Sequence, residues 1–184
     1  MRISGVRSDS PENSPREDPI TAVSSLTTCK YSCPLISHSL YIHGGRDIKE
    51  GPMGNMWRLS ISSVEELQQD PSTSASWESV QFKGTPPGKI SHHKPAVFGS
   101  CVVIFGGIKD YDNNLQAYEF DTSKHVWSCL KQTGDVPKPR DDHSLSQIDA
   151  ESFVIFGGFV EGSRVNECYI GCKKGNTIEW KEIG

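Results

Sequence analysis

Six histidines and six cysteines are the side chains of this chain whose types suit metal ligation or proton transfer, so their spacing is the first test of chemistry. Cys29 with Cys33 and Cys168 with Cys172 form two C-x3-C pairs. Structural zinc asks for a closed set of four ligands at short paired spacings. No histidine pair accompanies these cysteines, and both pairs fall in or beside apolar stretches that read as strands, where cysteine is an ordinary small hydrophobe. Together with Cys101 and Cys129 they read as reduced thiols rather than three disulfides, because the N-terminal stretch Met1 to Pro19 lacks the apolar region of a secretory leader. The histidines are His38, His43, His92, His93, His125 and His143. Nothing frames any of them as a catalytic base: there is no Gly-x-Ser-x-Gly elbow, phosphate-binding glycine loop or His-Glu-x-x-His motif. The expectation is a chain without metal, cofactor or catalysis.

Bulk properties narrow the class further. Nineteen basic against 23 acidic side chains give a formal charge of −4, with no clustered basic surface of the kind a nucleic-acid backbone requires. No run approaches the ~18 apolar residues of a membrane span. A soluble cytoplasmic protein is expected, with the nucleus also open to it. At 184 residues and 35% hydrophobic content, one all-β domain fits.

What must position any functional group is a repeat. Three apolar runs end in a glycine pair: Leu40 to His43 before Gly44-Gly45, Val102 to Phe105 before Gly106-Gly107, and Phe153 to Phe156 before Gly157-Gly158. Such runs, without polar alternation, describe strands buried on both faces, and the glycines supply backbone freedom where neighbouring chain approaches closely. Eleven or twelve residues beyond each pair stands an aromatic in a second run: Trp57, Tyr118 and Tyr169. A tryptophan follows in a third run: Trp77, Trp127 and Trp180. Before the glycine pairs lie Pro15-Arg16-Glu17-Asp18-Pro19, Gly88-Lys89-Ile90-Ser91-His92 and Pro139-Arg140-Asp141-Asp142-His143. That alignment makes His92 and His143 equivalent, and a histidine that recurs with the repeat reads as a structural hydrogen bonder. Units of this kind cannot bury their own faces, so stacked neighbours make the core.

The order of apolar run, Gly-Gly, tyrosine and tryptophan resembles the Kelch family, whose repeat folds as one propeller blade. The string from Gly134 to Ser144 is also similar to long-repeat members of Rab9-effector-like, host-cell-factor-like and leucine-zipper-like-regulator type. The resemblance implies an all-β Kelch propeller of about three four-stranded antiparallel blades, an incomplete ring, and a protein-interaction module rather than an enzyme. The alternative it carries is a propeller enzyme or iron-dependent specifier, whose motif is Glu-x3-Asp-x3-His. Asp121-x3-His125 matches its end, but Ala117 stands where the glutamate belongs.

Residues 1 to 14 are polar and rich in serine, proline and acid, and read as a disordered tail. The propeller segment is 15 to 184, with blades at about 16–81, 89–131 and 140–184. Blade one carries an insertion, Ser62 to Ser76, in which Ser63 and Glu66 make a capping box for one helical turn before Asp70-Pro71. Partner proteins are expected on the rim loops that follow the glycine pairs, at Arg46, Asp47, Lys49, Lys109, Tyr111, Asp112, Asn113, Phe159, Glu161 and Arg164. Gly44, Gly45, Gly106, Gly107, Gly157, Gly158, Trp57, Trp77, Tyr118, Trp127, His143, Tyr169 and Trp180 are expected to build the blades. Closed propellers use typically 4 to 8 blades, so three leave a ring to be finished by further blades or by self-association.

Overall fold

The computed structural model describes residues 34–36, 39–69, 75–109 and 111–184. Three four-stranded antiparallel sheets follow one another along the chain. The first contains β1 (Leu35–Ile36), β2 (Ser39–His43), β5 (Met56–Ile61) and β6 (Ala75–Ser79). The second contains β9 (Lys94–Phe98), β10 (Cys101–Phe105), β13 (Ala117–Asp121) and β14 (Val126–Gly134). In the third are β15 (Ser144–Gln147), β16 (Ser152–Phe156), β19 (Cys168–Lys174) and β20 (Thr177–Glu182). Each apolar run has become the second strand of its sheet; Trp77, Trp127 and Trp180 lie on the last strands of their blades, and Trp57 stands on β5. Pro95 stands in β9, which is tolerable because that strand is an edge and needs no amide donor on its outer side.

Each of the two core clusters spans a seam between neighbouring blades. Between blades one and two, Tyr41, Met56 and Val80 pack against Ile90, Val102, Ile104, Tyr118, Phe120 and Trp127. Between blades two and three, Val103, Phe105, Ala117 and Leu130 meet Phe153, Ile155, Tyr169, Ile178 and Trp180. Trp127 and Trp180 are each 2% exposed. Adjacent strand residues therefore serve opposite seams, Val102 and Ile104 one way, Val103 and Phe105 the other, which is why β10 reads as unbroken hydrophobicity.

A parallel pairing at the outer strands fastens each seam. Lys131 to Gly134, the end of β14, pairs with Thr177 to Trp180 of β20, and β7 (Lys83–Gly84), which follows blade one, pairs with Val126 and Trp127 in the same sense. For that reason β14 runs on past the boundary read at residue 131. The insertion in blade one contains a short helix, α1 (Val64–Gln69), where the capping box stands. Residues 1–33, including the tail, the first proline-basic element and Cys29 with Cys33, lie outside the described residues.

A rim of hairpins as the candidate interaction site

After each glycine pair the chain turns into a small hairpin. These are β3 (Arg46–Asp47) with β4 (Gly51–Pro52), β11 (Ile108–Lys109) with β12 (Asp112–Asn113), and β17 (Phe159–Val160) with β18 (Ser163–Arg164). The cause is local. Gly106 and Gly107 have φ of 66° and 89°, a left-handed pair that swings the chain out of the sheet, and the other two pairs match it. The second glycine of each pair then anchors its hairpin by a carbonyl, accepting from the amides of Met53, Asn114 and Val165 at 2.9, 2.7 and 3.1 Å.

The hairpins are tied together sideways. The Gly45 and Gly107 amides donate to the carbonyls of Ile90 and Arg140, each at 2.8 Å, where the chain enters the next blade. Strand β8 (Ile90–Ser91) pairs with β11, and Phe159 exchanges backbone hydrogen bonds with Asp141. Asn113 Nδ2 donates to the Phe159 carbonyl at 2.9 Å, joining the second hairpin to the third. Loops on a rigid scaffold are where binding surfaces concentrate.

These contacts correct the alignment of the repeat by one residue. Ile90 and Arg140 do the same job, and Gly107 and Gly158 are crowded by the matching pairs Ser91 with His93 and Asp141 with His143. His93, not His92, is the equivalent of His143; they are 2% and 1% exposed, whereas His92 is half-buried with φ of 62°, as Asp142 has φ of 53°. Nor is His143 a hydrogen bonder: among the described residues neither ring nitrogen has a partner. It is structural through packing, edge-on to Phe105 at 5.7 Å and 2.6 Å from where a Cβ on Gly106 would sit. Burial, the largest cause, lowers its pKa to about 4, with the Arg140 charge adding to it.

Arg140 is the rim's anchor, a role its place in the repeat did not reveal. Fully buried, it donates Nη1 to the Gly157 carbonyl at 3.0 Å, Nε to the Lys138 carbonyl at 3.1 Å and Nη2 to Glu167 Oε2 at 2.7 Å, with its guanidinium 5.1 Å above the Tyr169 ring. A buried arginine is tolerated only when its donors are met in this way. Glu167 is held below the usual carboxylate range, first by this hydrogen bond. Asn114, also missed, is buried and donates to the Gly106 and Gln116 carbonyls at 3.2 and 2.6 Å.

Of the rim residues expected to meet a partner, several hold the rim itself. Asp47 Oδ1 accepts from the amides of Lys49 and Glu50 at 2.6 and 2.9 Å; Lys109 Nζ lies 5.9 Å from the Tyr118 ring centroid; Glu161 pairs with Lys138 at 3.1 Å; and Asn113 bridges hairpins. Arg46, Lys49, Tyr111, Asp112, Phe159 and Arg164 are exposed. Tyr111 is 82% exposed at a φ of 73°, and Phe159 is 38% exposed. Ile48, which the sequence reading passed over, is 78% exposed at the first hairpin's tip.

The string nearest to an iron-binding motif is a turn. Asp121 Oδ1 accepts from the Ser123 and Lys124 amides at 2.9 and 3.0 Å, its Oδ2 pairs with Lys124 at 2.6 Å, and His125 stacks on Phe120 at 6.1 Å with φ of 55°. Among the described residues no three histidine, cysteine or acidic side chains gather as a metal would need, and no helix is long and apolar enough to cross a membrane.

The family description KLHDC2/KLHL20/DRC7 Kelch-repeats domain matches residues 14–183. The chain belongs to the Kelch-repeat family. Adagio-like protein 3 of Oryza sativa subsp. japonica is 25% identical over 158 residues, covering 84% of this chain and 24% of that protein. Kelch domain-containing protein 3 of Bos taurus is 26% identical over 132 residues, covering 70% of this chain and 31% of its own length. This Kelch chain thus spans about a quarter to a third of these relatives. Among solved structures, "Structure of YjhT" superposes with a TM-score of 0.64 at 16% identity, covering 84% of this chain and 51% of that one. The fold is a Kelch β-propeller arc.

Proposed function

We propose that this chain is a protein-interaction module, a scaffold or substrate-recognition propeller segment that takes a partner protein across its rim of hairpins. The observation that carries this reading is the continuity of the rim. Three hairpins bonded sideways present Tyr111, Phe159 and Ile48 outward, with Arg46 and Arg164 beside them. Aromatic and arginine side chains dominate binding energy at protein interfaces. Tyr111 does so from a backbone region that a bulky residue rarely adopts, an arrangement that surrounding structure must impose. Kelch repeats are commonly protein-interaction modules, which favours binding over catalysis; the turn around Asp121 already uses that carboxylate, and Ala117 stands where an iron-dependent specifier would carry its glutamate. The test is affinity capture with Arg46, Tyr111 and Arg164 replaced together by alanine, beside wild type and a control altered at the exposed Lys174–Asn176 turn of blade three. The rim variant should lose the major partner while keeping the wild-type circular dichroism spectrum. Capture retained by the rim variant would refute the assignment.

A further inference from the structure

Each glycine pair that turns out a rim hairpin has a buried histidine beside it. His43 ends β2 and leads straight into Gly44. His93 stands against Gly107, where a Cβ would sit 2.8 Å from the His93 amide nitrogen and 2.9 Å from its Cβ. His143 meets two glycines: its ring is 2.6 Å from where a Cβ on Gly106 would sit, and its own Cβ is 3.1 Å from one on Gly158. The three residues are 5%, 2% and 1% exposed. His43 and His93, with rings 6.3 Å apart, lie at the seam between blades one and two, and His143 lies at the next seam, against Phe105.

These surroundings suit neutral rings. Trp127 and Phe82 stand 4.9 and 6.2 Å from the His43 ring, and among the described residues neither nitrogen of His43 or of His143 makes a hydrogen bond of good geometry. The charges that face them are mostly of their own sign. His93 faces His43, Lys94, His143 and His92; His143 faces Arg140 and Lys94, with Asp142 in opposition; and only the backbone of Gly88 and Asn55 favours a charge on His43. A proton taken up on any of these rings must therefore bring the ring to water.

The short way to water is through the rim. All three histidines stand at the rim end of their blades, beneath hairpins made of two-residue strands. Lifting such a hairpin breaks a few backbone bonds, among them those of the Gly45 and Gly107 amides to the Ile90 and Arg140 carbonyls, and leaves the four-stranded sheets standing. The other way out parts the blades through the clusters that hold Trp127 and Trp180. Openings of the first kind draw on the least stable part of a fold.

We propose that His43, His93 and His143 form an acid latch on the rim: a proton on one of them lifts the hairpin beside it while the blades stay stacked, so the rim loosens in mild acid ahead of the fold beneath it. The direction follows from burial. Exposed, each ring titrates near the ordinary histidine value of about 6.5. Closed, burial holds His43 and His143 at about 4 and His93 at about 3. The closed rim is fully favoured above pH 6.5 and loses ground as pH falls towards 4; between pH 7 and pH 5 its opening constant rises about 20-fold for each histidine that the opening exposes.

Hydrogen exchange of the full chain, read amide by amide and divided by the rate of an unstructured peptide at the same pH, tests the latch. The Gly45 and Gly107 amides should lose at least about 20-fold of their protection between pH 7 and pH 5, and should be less protected at both than the amides that pair β10 with β13. His43→Phe, a ring that the equivalent Phe105 shows to fit, should remove most of the fall at Gly45 and leave the fall at Gly107. Rim protection independent of pH, rim protection equal to that of the strands at both pH values, or a fall at Gly45 as steep in the variant as in wild type would each overturn the proposal, and the first two are read on the wild-type chain alone.

Discussion

Replacing His43 by phenylalanine should make the protein less sensitive to acid without loosening its first seam. The molecule contains the control. Phe105 occupies the same position one blade later, 4.8 Å from Trp180 at 53° between ring planes, while His43 lies 4.9 Å from Trp127 at 52°. Burial lowers the His43 pKa from 6.5 to about 4, against a weaker opposing pull from the backbone of Gly88 and Asn55. Because the folded value lies below the unfolded one, the unfolded chain binds the extra proton. Stability is full above pH 6.5 and falls as pH drops towards 4, by about 1.4 kcal/mol per pH unit in that window. Between pH 7 and pH 5 the loss assigned to His43 is about 2 kcal/mol. The carboxylates held below their usual values, Glu167, Asp121, Asp149 and Glu179, lose their contributions lower still, so pH 5 to 7 reports the histidines. Urea unfolding followed by tryptophan fluorescence at pH 7, 6 and 5 measures it. The variant should lie within about 1 kcal/mol of wild type at pH 7 and above it at pH 5. Parallel pH dependence of the two proteins would refute the reasoning, and a large loss at pH 7 would show that the positions of His43 and Phe105 are not interchangeable.

Two more outcomes follow from the seams. Trp127→Ala removes a side chain 2% exposed at the centre of a seam and should cost about 3–5 kcal/mol; the urea midpoint measures it, and a loss below about 1 kcal/mol would contradict the assignment of the seam. Gly106→Ala forces a Cβ to within 2.6 Å of the His143 ring and into the Arg140 carbonyl at a φ of 66°, so it should melt well below wild type, and an unchanged melting temperature would contradict that close approach.

The strands buried on both faces were legible because burial on two sides forces unbroken hydrophobicity, which no loop imitates three times at one period. The first strand of each blade was not. Ser144 to Gln147 is polar and the second contains Pro95, because an edge strand needs neither hydrophobic side chains on both faces nor every amide. The rim hairpins escaped for another reason: two-residue strands are too short to show a period. The one-residue slip at His92 has the same origin. With Ile90 standing where the later blade has Arg140, the two adjacent histidines gave no local sign of which faces inward, and only the approach of Gly107 to His93 decides it. Which rim side chains hold the rim and which are offered outward depends on where backbone amides point, as at Asp47, and composition does not carry that.

Blades alike enough to be recognised as repeats could stack in the wrong order, and the departures from the repeat are what distinguish one seam from another. At the seam between blades two and three, Gln132 Oε1 accepts from Trp180 Nε1 at 3.0 Å, and Glu119 meets Lys173. At the seam between blades one and two the position of Gln132 is Phe82; among the described residues Trp127 Nε1 then has no partner, and His43 stands edge-on to Phe82 at 6.2 Å. Exchanging faces between the seams would leave Glu119 or Lys173 half-desolvated without its counter-ion, a penalty of the kind that sets specificity by rejecting wrong partners. The same departures make the seams unequal in acid. His43 and His93, their rings 6.3 Å apart and both driven well below the usual histidine pKa by burial, lie at the seam between blades one and two, so the protonation of two buried histidines weighs on the seam that does not hold the Glu119–Lys173 pair.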